Sequence, residues 1–118
     1  MAIATQLVNT VQSLLKQYPN ARILTTGHSL GGALALIAAV ELRRQFTAPV
    51  EVHSFGAPRI GNDHLAKHVN NKVEDIYRVV HNRDLVPHLP PDLPKFEYHH
   101  SAYEIFWNED YTAYKTCG

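Results

Sequence analysis

The 118-residue sequence predicts an α/β protein with a mostly parallel sheet flanked by helices. Short β-prone runs alternate with helical segments from residue 21 to residue 80, which is typical of βαβ units. Hydrophobic residues make up 45% of the chain and charged residues 19%, an ordinary globular composition rather than a disordered one. The length suits one domain, so we expect a single core over residues 1–118.

The first half of the chain predicts three elements. Apolar residues recur every three or four positions before Pro19, which indicates an amphipathic helix. Residues 21–26 are β-prone and predict the first strand. Residues 34–46 predict a helix that is buried against the sheet, because this segment is apolar on all faces until Glu41.

The second half predicts two strands and a helix, followed by loops. Residues 50–55 and 76–80 are the strands, and residues 62–70 form the short helix between them. From Asp84 onward the chain is rich in proline, with an aromatic segment over residues 96–107. We interpret this segment as the cover of a sheet edge, and the alternative is a surface that faces lipid.

Charge, hydropathy and cysteine content exclude several classes of protein. Eleven basic and eleven acidic residues leave no basic field for nucleic acid. The longest apolar run, residues 30–40, is much shorter than the roughly 20 residues that cross a bilayer. No signal-peptide pattern follows Met1. The single cysteine, Cys117, excludes an internal disulfide.

The strongest functional signal lies between the first strand and the buried helix. Residues 27–31, Gly-His-Ser-Leu-Gly, match the nucleophile-elbow pattern, in which a tight turn pushes the Ser29 hydroxyl out of the sheet. We expect that side chains at Gly27 and Gly31 would collide with the neighbouring strand or helix. The N–H of Leu30 would then face a developing oxyanion. The alternative is a glycine-rich turn whose serine only caps the helix.

A serine nucleophile needs a histidine to take its proton and a carboxylate to orient that histidine. Asp84 closely follows the strand at residues 76–80, so we expect its carboxylate at the same sheet edge as Ser29. We predict Asp84 as the acid, and the alternative is a turn-forming aspartate that hydrogen-bonds to its own backbone. The weaker candidates, none of which directly follows a strand, are Asp63, Asp75 and Asp92.

Four segments, taken in order, give the sequence a family resemblance. They are Thr-Gly-His-Ser-Leu-Gly-Gly-Ala-Leu-Ala at residues 26–35, Ser-Phe-Gly-Ala-Pro-Arg-Ile-Gly-Asn at 54–62, Asn-Arg-Asp-Leu-Val-Pro-His-Leu-Pro-Pro at 82–91 and His-Ser-Ala-Tyr-Glu at 100–104. Together they resemble the class 3, fungal-type triacylglycerol lipases of the α/β-hydrolase superfamily.

The resemblance implies an α/β-hydrolase-like domain and an enzyme that hydrolyses triacylglycerol-like lipid esters through a Ser-Asp-His triad and an acyl-enzyme. Ser29 is then the nucleophile, Asp84 the acid and the Leu30 N–H an oxyanion donor. The residues expected to support the elbow are Gly27, His28 and Gly31. No cofactor or metal is implied, and the expected partners are a lipid or ester substrate and, transiently, a lipid interface.

Compared with the family pattern, the chain resembles the central part of a lipase domain, incomplete at both ends. The family's triad histidine usually follows a cysteine comparable to Cys117, and that cysteine would bond to another one further on. The second oxyanion donor and the lid lie upstream. We therefore expect impaired activity from this chain, and the alternative is a non-catalytic module that binds or complements another chain. Full-length members are expected in secreted or endomembrane locations.

Eight histidines offer other candidates for a base or a metal site. His99 or His100 is the choice for a base within this chain, because a loop there could fold back towards Ser29. His64 and His68 lie four residues apart on one helix face and could bind zinc. No third ligand is evident, so a solvated helix face is the simpler interpretation.

Overall fold

The computed structural model describes residues 2–73, 75–81, 84–89, 98–100, 103–108 and 112–117. Its helices in this part of the chain are α1 (Ala2–Gln17), α2 (Leu30–Gln45) and α3 (Asp63–Lys72), with a short 3₁₀ turn at Val86–His88. None of these described helices is both long and apolar enough to cross a membrane.

The strands form one large and one small sheet. In chain order they are β1 (Ile23–His28), β2 (Val50–Phe55), β3 (Gly61–Asn62), β4 (Asp75–His81), β5 (Tyr98–His99), β6 (Tyr103–Trp107) and β7 (Tyr114–Cys117). The large sheet has the order β1-β2-β4-β6-β7, in which the first four strands are parallel and β7 is antiparallel to β6. Strands β3 and β5 pair separately and antiparallel. The predicted α/β class with a mostly parallel sheet is confirmed.

Part of the aromatic segment lies along a sheet edge, as expected, because it contributes β6, which pairs with β4 and extends the sheet. Aromatic and β-branched residues favour strands, and here they are stabilised by cross-strand contacts. The rings of Trp107 and Tyr114 are 5.0 Å apart, and the Lys115 Nζ atom lies 5.4 Å from the centre of the Phe106 ring. These pairings join β6 to β7. Both strands lie in the region after Asp84, where the sequence predicts loops.

The core lies between the sheet and the helices. Small side chains on α2 let this helix approach the sheet closely, and burying each larger side chain contributes about 1.5–3 kcal/mol. The buried cluster consists of Ala35, Leu36, Ala39, Leu42, Val50, Val52, Val69, Val73 and Ile76. Leu7 and Val11 of α1 pack against the same cluster, so all three helices cover one face of the sheet.

The opposite face of the sheet is open in the part of the chain that the structure describes. Leu24, Phe55 and Tyr77 project from this face and are 59%, 42% and 42% exposed. Helices were expected on the faces of the sheet, but among the described residues they lie on one face only.

Helix α2 is buried against the sheet, as predicted, through residues such as Leu36, Ala39 and Leu42, whereas its outer face is exposed. Leu30, Leu34 and Ile37 form a stripe and are 67%, 56% and 54% exposed. Helix α1 borders α2 further along, where Glu41 and Gln45 line a groove between the two helices. Apolar composition on all sides of a helix therefore did not require burial on all sides.

Two leucines of α2 test this assignment of its inner and outer faces. Leu42 is 1% exposed, so Leu42→Ala should lower the free energy of unfolding by about 2–5 kcal/mol. Leu34→Ala makes the same chemical change on the exposed side and should alter stability by no more than about 0.5 kcal/mol. Urea denaturation followed by circular dichroism measures both, and equal losses would contradict the assignment.

Candidate active site

Ser29 is the single residue between the end of β1 and the start of α2. Its backbone has a φ of 55° and a ψ of −124°, and it is the only non-glycine residue with positive φ among those described. Such a conformation costs about 1–3 kcal/mol and persists only where surrounding contacts impose it. One of these contacts is its own N–H, which donates to the Phe55 carbonyl oxygen at 2.9 Å.

Glycine makes the close approach of strand and helix possible. A Cβ atom on Gly27 would lie 2.2 Å from the carbonyl oxygen of Gly31. A Cβ on Gly32 would lie 2.8 Å from the Ala57 Cβ. By contrast, beyond the adjacent residues and the nearby backbone of its own helix, no atom of the described chain lies within 4 Å of the Cβ position of Gly31. The expectation that Gly31 must lack a side chain for steric reasons is therefore wrong, and Gly32 is the second constrained glycine.

The Ser29 hydroxyl does not cap the helix. Ser29 occupies the N-cap position of α2, but its side chain makes no capping hydrogen bond. Its carbonyl oxygen accepts the N–H groups of Gly32 at 3.0 Å and Ala33 at 3.4 Å. The Leu30 N–H has no backbone acceptor among the described residues. The interpretation of Ser29 as a capping serine is thus wrong, and its hydroxyl and the Leu30 N–H are available to a ligand.

Asp84 reaches the same edge of the sheet from the end of β4. Its N–H donates to the His81 carbonyl oxygen at 2.9 Å, and its Oδ1 accepts the Val86 N–H at 3.0 Å. The turn of the alternative prediction is therefore present, and it is compatible with the role of the acid because it occupies only one carboxylate oxygen. This bond occupies Oδ1 and leaves Oδ2 to face Gly56.

Gly56 connects the two halves of the site, and the sequence analysis missed it. Its φ is 59°, and a Cβ atom there would lie 2.6 Å from Asp84 Oδ2 and 3.8 Å from His28 Nε2. Its N–H donates to the Val79 carbonyl oxygen at 2.9 Å. Because Phe55 holds the Ser29 N–H, two adjacent residues contact the serine and the aspartate. The signal was the Gly-Ala-Pro run after β2, which lies in the segment 54–62 that carries the family resemblance.

No imidazole hydrogen-bonds to Ser29 or Asp84 among the described residues. His100 contacts the Pro87 carbonyl oxygen through Nε2, so this candidate base is engaged elsewhere. The side chain of His99 lies outside the described residues. His64 and His68 are both exposed on α3. The described part of the chain contains no group of three or more side chains suited to hold a metal ion.

The weaker aspartates do not approach Ser29 in the described structure. Asp75 is the first residue of β4, so it lies at the other end of this strand from Asp84. Its Oδ2 is 3.6 Å from Arg22 Nη2. The side chain of Asp63, the whole of Asp92 and the side chain of Cys117 lie outside the described residues. Asp84 is thus the described aspartate whose carboxylate lies beside the elbow.

Parallel sheets that present a serine on a strained turn between a strand and the following helix are typical of the α/β-hydrolases. Comparison with known proteins narrows this class. The family model for the class 3 lipases matches residues 1–93, and the chain belongs to this family.

Relatives and solved structures agree with this assignment. The chain is 37% identical over 117 residues to secreted mono- and diacylglycerol lipase 1 of Fusarium solani, and the match covers 94% of this chain and 34% of that protein. The Rhizomucor miehei lipase–propeptide complex superposes with a TM-score of 0.88 at 34% identity, covering 95% of this chain and 37% of that one. Another triacylglycerol lipase, whose catalytic centre is a serine protease triad, has a TM-score of 0.85 at 35% identity, with 96% and 44% covered. The chain therefore spans less than half of each of these proteins.

The two glycines that flank the elbow provide a matched test of its geometry. Gly27→Ala should lower the free energy of unfolding by at least about 2 kcal/mol, since the new Cβ overlaps backbone atoms. Gly31→Ala should be neutral or stabilising by up to about 1 kcal/mol, because alanine favours the helix and open space surrounds the site. Chemical denaturation of both variants measures the difference, and a Gly27→Ala protein as stable as Gly31→Ala would refute the close approach.

Proposed function

We propose that this chain carries the nucleophile and the acid of a lipid ester hydrolase. The observation that carries the proposal is the strained backbone of Ser29, whose hydroxyl has no capping role and precedes the Leu30 N–H, a donor with no backbone acceptor in the described part of the chain. Strain of this kind is typical of functional sites, where the surrounding structure imposes it. The named activities of the relatives support the same reaction class.

In the proposed reaction, Ser29 Oγ attacks the carbonyl carbon of an ester while a histidine takes the hydroxyl proton. The Leu30 N–H donates to the oxyanion that forms, assisted by the positive end of α2. The imidazolium then returns its proton to the departing alcohol, which leaves an acyl-enzyme. Water, activated by the same histidine, hydrolyses the acyl-enzyme and releases the acid.

Asp84 would orient this histidine. Val86 holds Oδ1 in place, so Oδ2 is left to accept the Nδ1–H of an imidazole. The family resemblance supports a histidine that follows Cys117 in the full-length protein, together with a second oxyanion donor from an upstream segment. The reaction of the whole protein then needs residues beyond those that surround Ser29 here.

Exposed leucines around the site support a lipid ester as the substrate. Leu30 is 67% exposed, Leu85 is 75% exposed and Leu89 is 49% exposed. Leu30 follows the nucleophile directly and Leu85 follows the acid, so an apolar rim borders the reacting groups. Such a rim suits an acyl chain and transient contact with a lipid interface.

We further propose that residues 1–118 form part of one lipase domain rather than a separate module. A single buried cluster joins all three described helices to the sheet, which supports one domain. The Fusarium solani relative is named as a secreted lipase, which supports a secreted or endomembrane location for the whole protein.

A fluorophosphonate probe tests whether Ser29 is an activated nucleophile. The full-length protein, which would supply the histidine, should be labelled at Ser29, and Ser29→Ala should reduce labelling by at least about 1,000-fold. Ser13→Ala is the matched control, because Ser13 lies exposed on α1 and should leave labelling unchanged. A folded full-length protein that is not labelled would contradict the proposal and favour a non-catalytic module that binds or complements another chain.

Gly56 and Asp84 test how the acid contributes. In the same assay, Asp84→Asn should lower the labelling rate by up to about 10⁴-fold, because the amide favours the wrong imidazole tautomer. Gly56→Ala should lower the labelling rate by about 100-fold. The added Cβ would overlap Asp84 Oδ2 and so displace the carboxylate from its position. Gly31→Ala adds the same methyl group where there is room and should have little effect. Equal rates for Gly56→Ala and Gly31→Ala would show that Asp84 does not act through this contact.

A further inference from the structure

The geometry points to His100 and Glu104 as a two-point clamp that positions Asp84. Glu104 holds the strand that leads to Asp84, and His100 holds the turn that follows it. Both are positioning residues in this proposal, since neither contacts the reacting atoms. The inference rests on the proposed role of Asp84 as the triad acid.

The first point of the clamp is the ion pair between Arg78 and Glu104. Arg78 lies on β4, is 6% exposed and faces Glu104 in the register between β4 and β6. Its Nη2 atom lies 3.0 Å from Glu104 Oε2. A buried guanidinium without a carboxylate partner is strongly destabilising, so this pairing strongly favours one register of β4 beside β6. The strand that delivers Asp84 is thereby held before it reaches the site.

The second point is the contact from His100 to the turn after Asp84. His100 Nε2 donates to the carbonyl oxygen of Pro87, a residue whose side chain is fully buried. Pro87 lies in the short 3₁₀ turn whose first residue, Val86, donates its N–H to Asp84 Oδ1. Holding Pro87 therefore holds the donor that orients the carboxylate.

The small sheet explains why this contact comes from His100. Strands β3 and β5 pair with each other, and His100 directly follows β5. Shortly before β3, the Arg59 N–H donates to the Leu89 carbonyl oxygen at 2.6 Å. A pair of strands only two residues long adds little stability by itself. Its position, however, brings two hydrogen-bond donors onto the turn that follows Asp84.

Backbone amide exchange at Val86 tests the clamp without any need for activity. His100→Leu removes the donor and should raise the Val86 exchange rate at least about fivefold relative to the amides of α2. His100→Gln is similar in size and retains an N–H donor, so it should preserve much of the protection. His68→Ala removes an exposed histidine on α3 and should change nothing. Equal Val86 protection in His100→Leu and His100→Gln would overturn the proposal.

The Glu104 side is tested by Glu104→Gln, which keeps the shape of the side chain and removes its charge. We expect faster exchange at Val86 in this variant as well, and wild-type exchange there would overturn the two-point clamp.

Fluorophosphonate labelling supplies the functional readout. His100→Leu should lower the maximal labelling rate with little change in probe affinity, and His100→Gln should restore it. If the full-length wild-type protein is not labelled, the proposed function fails, and the exchange measurements still decide whether the clamp exists.

Discussion

The close approach of Gly27 to the first turn of α2 is the constraint on which the rest of the structure depends. Without a Cβ at Gly27, the strand passes directly beneath the Gly31 carbonyl, and the chain must reverse at Ser29. The strain at Ser29 is tolerated because other contacts over-determine the turn. Its N–H bonds to β2, and Thr25 Oγ1 donates to the Ala35 carbonyl oxygen at 3.0 Å, which joins β1 to α2. Core packing of α2 thus supports the strained residue.

The end of β2 transmits this constraint to the acid. Phe55 accepts the Ser29 N–H, and the next residue, Gly56, lies against Asp84. The serine and the aspartate come from different strands, but both are positioned by the same short stretch of backbone. A shift of β2 would therefore move both groups together. The distance between the serine and the aspartate would then change little when β2 moves. This suits catalysis, because small displacements of reacting groups have large effects on rate.

Local patterns predicted the parts of the structure that depend on local physics. The alternation of strands and helices gave the α/β class, and the elbow motif located Ser29 correctly between a strand and a helix. Contacts between distant segments were harder to anticipate. A Cβ on Gly32 would face Ala57 whereas one on Gly31 would face open space, and the local sequence does not distinguish the two positions. Strand β7 depends on pairing with β6 rather than on a strong pattern of its own.

The central claim is that the elbow aims the Ser29 hydroxyl and the Leu30 N–H at one point. Its most direct test is the NMR signal of the Leu30 amide before and after a small phosphonate reacts at Ser29. A phosphonyl oxygen stands in for the oxyanion of the ester intermediate. A large downfield shift of the Leu30 proton, with little change at exposed amides of α3, is the predicted result. A Leu30 signal that does not move in the fully modified protein would contradict the claim.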